Sequence, residues 1–406
     1  MMRLAPSPAG ITPAELLAGM GPSPSPFDAE TEAFGRRLSE ALLADAEARA
    51  FPDLAALGFW LRPAATQALR RHFATLESDG IRRVPRGLAL HIAPANVETL
   101  FVYSWWLSAL AGNANLVRVS GRAGARTALL LRLIGQILAE PAFVRLSQAT
   151  AFLAFDHDPA IAAALSAAAR LRVVWGGDAT IAAFAGLPLA AGGVDITFPD
   201  RRSACTIAAP AYLALDGGGR AELVRRFFND AYGFDQKACS SPLLLAWIGT
   251  AEEAEAAGTD FWARLAGEVE NRSYAVAAAT TLAQLTEAAR LALDGGIGQV
   301  RRFGPGLLVV RGPARPPRPE TCGGGLFEEC IVATLAGIAG LMDAKLQTLT
   351  HFGLEAGEPA RLAPLLAANG GGDRLVPVGT ALDFSHVWDG HDLLAAMSRA
   401  IAVKER

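Results

Sequence analysis

Two α/β domains, the first built on a parallel sheet, are the fold class the sequence predicts, and three observations predict it. The chain has 406 residues, room for two or three domains at roughly 150 residues each. From Leu88 to Gly176 short apolar runs alternate with helix-length stretches, the pattern of strand–helix–strand units. Around Ala204 that alternation starts again, which marks a second sheet.

Residues 1–28 are rich in Pro and Ser and read as an arm ordered by the rest of the protein. From Ala29, TEAFGRRLSEALLADAEARAF spaces apolar groups by three and four, a helix. A first strand, Leu88 to Ala93, ends at Pro94-Ala95-Asn96 and leads into the helical VETLFVYSWWLSALA. Gly112-Asn113 stops that helix, and Asn115 to Val119 is the next strand. GARTALLLRLIGQILAE, AFLAFD, DPAIAAALSAAA and LRVVWG continue the series, so the sheet is parallel and covered on both faces. Past Ala204 come TIAAPAYLAL, the helix RAELVRRFFNDAYGF, the turn Cys239-Ser-Ser-Pro242 and the strand LLLAWIG. Arg311 to Glu320 carries four prolines and reads as a stiff loop or linker.

Composition excludes several functions. With 37 basic and 40 acidic side chains the net charge is −3, which leaves no surplus to follow a nucleic-acid backbone. An apolar fraction of 51% and a charged fraction of 19% exclude a disordered chain. Cys330 to Met342, the longest nearly apolar stretch, falls short of the about 18 residues a membrane span needs. The N-terminus lacks a basic region followed by an apolar core, so a cytoplasmic protein is expected. Four cysteines without a CxxC pair, and six histidines, predict neither structural zinc nor a disulfide framework, and no metal site.

Four places carry residue types suited to chemistry. Cys239, in Asp235-Gln-Lys-Ala-Cys-Ser-Ser-Pro242, sits at a helix–strand junction beside Lys237, a cation that favours thiolate; a small residue needed at the junction accounts for it as well. Asn96 follows the carboxyl end of a strand, where its amide suits an oxyanion or caps the next helix. Arg118, Ser120 and Arg122 leave the second strand as phosphate or ribose donors, and Gly176-Gly177 either admits a ligand to a helix N-terminus or makes a tight turn. Glu328 and Glu329 offer a pocket carboxylate or a solvated helix start. His351, His386 and His391 are candidate bases without a motif linking them to Cys239. Tyr103, Trp105 and Trp106 suit an acyl tunnel or, more simply, helix packing.

Read in order, HIAPANV, GNANLVRVS, VVWGGDATI, FPDRRSACTI, DQKACSSP and the tail from Val376 to WDGHDLL resemble the LuxC-type fatty acyl-CoA reductases, a branch of the aldehyde dehydrogenase superfamily. The resemblance implies an aldehyde-dehydrogenase-like fold. A Rossmann-type cofactor domain would span 29–203 and a catalytic domain 204–375, with 376–406 returning to the cofactor domain or forming an oligomer contact. It implies Cys239 as the nucleophile that takes an acyl group from acyl-CoA or another acyl thioester, and Asn96 as the oxyanion donor facing it. Arg118 and Ser120 match a ribose-holding segment in which the family often has Lys, and Glu329, with Glu328 as the alternative, resembles the glutamate that grips the nicotinamide ribose. A homo-oligomer, taken as a dimer, is implied as well. The acid that activates water in aldehyde-oxidising members would fall near Ile196-Thr197-Phe198 and is missing, with Asp195 the nearest carboxylate. That absence favours reduction over oxidation. Arg122 and Arg126 stand where an acid would bind a ribose 2′-hydroxyl, which favours NADPH, with NADH possible. The competing readings are a cysteine acyltransferase or thioesterase without hydride transfer, and an aldehyde-oxidising dehydrogenase.

Overall fold

The structure, a computed structural model, describes all residues except 79, 95–96, 122–123, 156–157, 294–296, 319–321 and 405–406. The chain folds into two units, 1–199 with 384–406, and 200–383. It therefore leaves the first unit four residues ahead of the expected 203/204 boundary, and residues 312–318 of the proline-rich stretch are a loop inside the second unit.

In the first unit β1 (Met2–Ala5) and β2 (Ala9–Gly10) come from the N-terminal arm, and β3 (Ile81–Pro85) follows a set of helices. Next are β4 (Leu88–Ile92), β5 (Ala114–Arg118), β6 (Thr150–Ala154), β7 (Leu171–Trp175) and β8 (Val194–Phe198). The sheet runs β2-β1-β6-β5-β4-β7-β8, its last five strands parallel. Numbered from β4, those five lie in the order 3-2-1-4-5, the doubly wound arrangement whose switch point falls between β4 and β7. Consecutive residues of β7 are all buried, as a strand covered on both faces requires. The helix Leu100–Leu110 buries every residue after its first, Trp105 and Trp106 included. The Tyr103 hydroxyl donates to the Ser385 carbonyl at 2.5 Å. These three aromatics are core, so the helix-packing reading holds over the acyl tunnel.

The second unit contains β9 (Arg202–Ala208), β10 (Pro242–Ile248), β11 (Gln299–Arg302), β12 (Leu308–Arg311), β13 (Leu326–Val332), β14 (Leu346–Phe352) and β15 (Arg374–Pro377). Their order is β11-β12-β13-β10-β9-β14-β15, parallel apart from the edge strand β11. Alternation sorts the side chains: Leu245, Trp247, Cys205 and Ile207 join an aromatic core with Phe227, Phe261, Trp262 and Phe327. Leu244, Ala246 and Ala204 face an aliphatic one with Leu349 and Leu362. The tail adds β16 (Val387–Trp388), β17 (His391–Asp392) and β18 (Ser398–Ala402), the last antiparallel to β3. Among the described residues no single helix is long and apolar enough to cross a membrane.

Candidate active site

Cys239 lies in the turn between the helix Gly217–Tyr232 and β10, and is half-buried.

 

The turn that carries it is unusual in its backbone: Asp235 and Gln236 both take left-handed φ values, 57° and 60°, which cost a residue with a side chain on the order of 1 kcal/mol or more each. The Gln236 side chain holds that turn. It is fully buried, its Nε2 donates to the carbonyls of Pro242 (3.2 Å) and Leu326 (3.0 Å), and its Oε1 accepts from the Gly325 N–H (3.0 Å). Gly325, at φ 87°, must be glycine, because a Cβ there would stand 2.1 Å from the Gly306 carbonyl oxygen.

The strands on either side finish the arrangement. Ser203, buried in β9, donates its hydroxyl to the Cys239 carbonyl (2.7 Å) and accepts the Thr348 N–H (3.1 Å). Ser241 donates to the Asp230 carbonyl (2.9 Å). The thiol itself receives a hydrogen bond from Gln347 Nε2 at 3.2 Å. Cys239, Ser203 and Gln347 thus meet at the amino ends of β10, β9 and β14. Lys237, the cation noted in the sequence, pairs with Asp235 at 2.6 Å, and both side chains are well exposed. Burial weakens the other cysteines as nucleophiles: it pushes the Cys205 thiol up, Cys330 up to about 12, and Cys322 upward as well. Sequence reasoning missed Gln236, Ser203 and Gln347, whose roles come from residues far away in the chain.

Glu329 is placed differently from its expected ribose role. Its side chain is fully buried in β13, where Oε1 accepts from the indoles of Trp247 (2.9 Å) and Trp262 (2.6 Å). Oε2 accepts from Arg301 (2.5 Å) and Arg311 (2.8 Å). Four donors use the lone pairs of both oxygens, so the carboxylate is a structural anion inside the second unit. Gly258 makes room for it, since a Cβ there would lie 2.8 Å from Oε1. Glu328, on the opposite face of the strand, accepts the Arg318 N–H (2.7 Å) and pairs with Arg315 (3.2 Å).

In the first unit, Arg118 ends β5, half-buried over the Phe155 ring at 5.7 Å, and Ser120 follows it, also half-buried. Gly176 and Gly177 follow β7, and Gly177 precedes the helix Asp178–Ala185. Neither glycine has a positive φ, so the tight-turn reading does not need them. Asn96 and Arg122 lie outside the described residues. Arg126 faces Asp53 at 3.5 Å and covers the Phe51 ring at 4.9 Å. Glu98 occupies the N-terminus of the helix Ala125–Leu138, accepting from the Thr127 N–H (2.9 Å) and hydroxyl (3.1 Å). A guanidinium, a hydroxyl and the amides of the Asp178–Ala185 N-terminus are donors that suit the ribose and phosphates of a dinucleotide, so the residues at this edge fit such a cofactor. Asp195 is held by the buried Arg172 through two bonds of 2.7 Å. His391 packs edge-on against Phe198 at 5.9 Å, and His351 is partly buried in β14, which holds it below its ordinary value.

Solved structures similar to this chain include aldehyde dehydrogenases. Aldehyde dehydrogenase 21 from Physcomitrella patens, crystallised with succinate, is 10% identical at a TM-score of 0.64, over 92% of this chain and 85% of that one. Methylmalonate-semialdehyde dehydrogenase from Oceanimonas doudoroffii is 12% identical at 0.63, over 93% and 86%. PnpE, crystallised with nicotinamide adenine dinucleotide, is 12% identical at 0.61, over 93% and 86%. At these identities the likeness shows the fold, that of the aldehyde dehydrogenase superfamily. No curated protein sequence matches the chain. The family model described as acyl-CoA reductase (LuxC) matches residues 65–292, more than half of the chain, which belongs to that family. Membership makes it an oxidoreductase of aldehyde and acyl groups.

Proposed function

We propose that the protein reduces an acyl-CoA, or another acyl thioester, to the aldehyde through an acyl group carried on Cys239. The observation that supports this most is the thiol itself: half-buried, set in a turn pinned by Gln236 and Ser203, and hydrogen-bonded by an amide. The Cys239 thiolate attacks the thioester carbon, and the departing thiol leaves an acyl-cysteine in its place. Asn96 is the proposed side-chain donor to the oxyanions on either side of that intermediate. When bound, a reduced nicotinamide supplies the hydride that converts the acyl group to the aldehyde. Arg118, Ser120 and the amides following Gly176-Gly177 would hold it. NADPH is the preferred form on the charges of Arg122 and Arg126, of which Arg126 gives less support, since it faces Asp53.

Reduction fits the surroundings better than oxidation does. The one carboxylate weighed as a water-activating base, Asp195, is tied to Arg172, and a bidentate ion pair is a poor proton acceptor. The test is incubation with a panel of acyl-CoA esters, first without reductant and then with NADPH or NADH. An intact-mass adduct that vanishes in Cys239→Ala, and is discharged as aldehyde when reductant is added, is the expected result. Turnover to free acid without reductant would instead establish a thioesterase.

A further inference from the structure

We infer that Gln347 is a positioning residue for the Cys239 sulfur: a hydrogen-bond donor that favours the thiolate and, having no basic site of its own, does not itself activate water against the acyl-cysteine. The assignment rests on the reading of Cys239 as nucleophile. Its first support is the 3.2 Å bond from Nε2 to Sγ, made by a side chain that is fully buried. A buried amide aimed at a half-buried thiol is costly unless its donors are used, and a donor to the charged form favours that form.

Its second support is the way the amide is oriented. Thr348 Oγ1 donates to Gln347 Oε1 (3.3 Å), and Arg374 Nη1 donates in turn to Thr348 Oγ1 (3.4 Å). With the oxygen end of the amide accepting on one side, the nitrogen end is the one turned to the sulfur. The backbone adds a third. Between Leu346↔Arg202 and Leu349↔Ala204, β14 has two residues, Gln347 and Thr348, against Ser203 alone in β9. A register slip of this kind re-aims a side chain. It places Gln347 at the sulfur while the same Ser203 holds the Cys239 carbonyl.

The chemistry follows from the amide group. It donates to a thiolate at any pH and takes up no proton, so it assists attack on the thioester and then does nothing to activate water. Placing a carboxylate at this position supplies the missing step: Glu accepts a proton from water, the hydroxide adds to the acyl carbon, the C–S bond breaks, and Cys239 is regenerated as the acid leaves. No electrons are exchanged.

The experiment compares wild type, Gln347→Met and Gln347→Glu. The pH midpoint for alkylation of Cys239 by iodoacetamide is followed by peptide mass. Gln347→Met, which keeps the volume and loses the donor, is expected to raise the midpoint by about one to two pH units. The charged groups on the surrounding elements are the Asp235–Lys237 pair, Asp230, Arg374, Arg202 with Asp343, and Lys345 with Asp200; all are retained in both proteins, so the difference isolates Gln347. Gln347→Glu is expected to release free coenzyme A from acyl-CoA continuously without reductant, at least tenfold faster than wild type. An unchanged midpoint in Gln347→Met overturns the assignment, as does a Gln347→Glu protein that acylates and then stays acylated. If wild type forms no acyl adduct although the midpoint moves, the donor assignment stands and the reductase reading fails.

Discussion

In the first unit the candidate ligand residues lie at the carboxyl ends of parallel strands, Arg118 ending β5 with Ser120 just beyond it, and Gly176-Gly177 after β7. In the second, the thiol precedes the amino end of β10, with Ser203 and Gln347 at the amino ends of β9 and β14. The carboxyl-end rule for α/β sheets depends on turns that lead into helix N-termini, whose amides face a ligand. The turn carrying Cys239 leads out of a helix instead, so the amide dipoles point elsewhere and side chains must do the holding. Gln236, Ser203 and Gln347 supply that, each buried and each bonded across strands. The first unit offers a binding edge, whereas the second builds a fixed position for one atom.

The sharpest way to break this contrast is at Glu329. As a buried anion facing Arg301 and Arg311, it should matter to stability alone. Glu329→Gln is expected to cost about 3 to 5 kcal/mol, read from the urea midpoint, because two guanidinium groups lose their counter-charge. Activity per folded molecule should be unchanged. A raised KM for the nicotinamide cofactor at unaltered stability would return Glu329 to the ribose and dissolve the division between binding and structural charge.

Acid titration gives the next largest effect, with opposite signs in the two units. His91 in β4 is fully buried between Ser104 (2.8 Å) and Asn115 (3.0 Å), and burial lowers it to about 4 from 6.5. Between those values the unfolded chain binds a proton that the folded one does not, so stability falls as pH drops from 6.5 towards 4, by about 3 kcal/mol in full. Asp230 shifts the other way. Burial raises it to about 7 from 3.8, against the N–H bonds of Gly379 (2.6 Å) and Ala381 (2.9 Å). Its contribution is fully present below pH 3.8 and is lost as pH rises through 7. Urea melts from pH 4.5 to 7.5 should therefore steepen the decline with pH in His91→Asn and flatten it in Asp230→Asn. Parallel profiles in all three proteins would show that neither group titrates as described.

Much of the fold could be read from the sequence, because strands such as LALHI and LRVVW are contiguous apolar runs set between helices. The positions of Cys239, Arg118, Ser120 and the Gly176 pair were likewise visible, each at a junction between a strand and a helix. Gln347 was not, since nothing local separates it from any other polar residue in a strand. Its meaning comes from a register slip against β9 and from a thiol more than a hundred positions earlier in the chain. The surroundings of Glu329 were hidden for a related reason: an acidic pair after a Gly-rich turn suggests a pocket, and the indoles and guanidinium groups around its carboxylate are brought by other elements.

The smallest expected effect tests the first unit as a binding edge. Arg118 is half-buried and stacks over Phe155, so it keeps its place without a ligand and a substitution there should leave stability nearly unchanged. Arg118→Ala is expected to raise the KM for the reduced cofactor about three- to tenfold, the worth of roughly one hydrogen bond to a polar group. The rate of Cys239 acylation, measured without cofactor, should not move. Comparing NADPH with NADH then separates two roles. If the guanidinium meets a 2′-phosphate, the loss falls mainly on NADPH and Arg118→Lys recovers only part of it, because the ammonium lacks the planar fork. If it meets the ribose, both cofactors lose equally. A drop in acylation itself would mean that Arg118 serves the thiol chemistry, and the two units would no longer divide the work between holding the cofactor and carrying the acyl group.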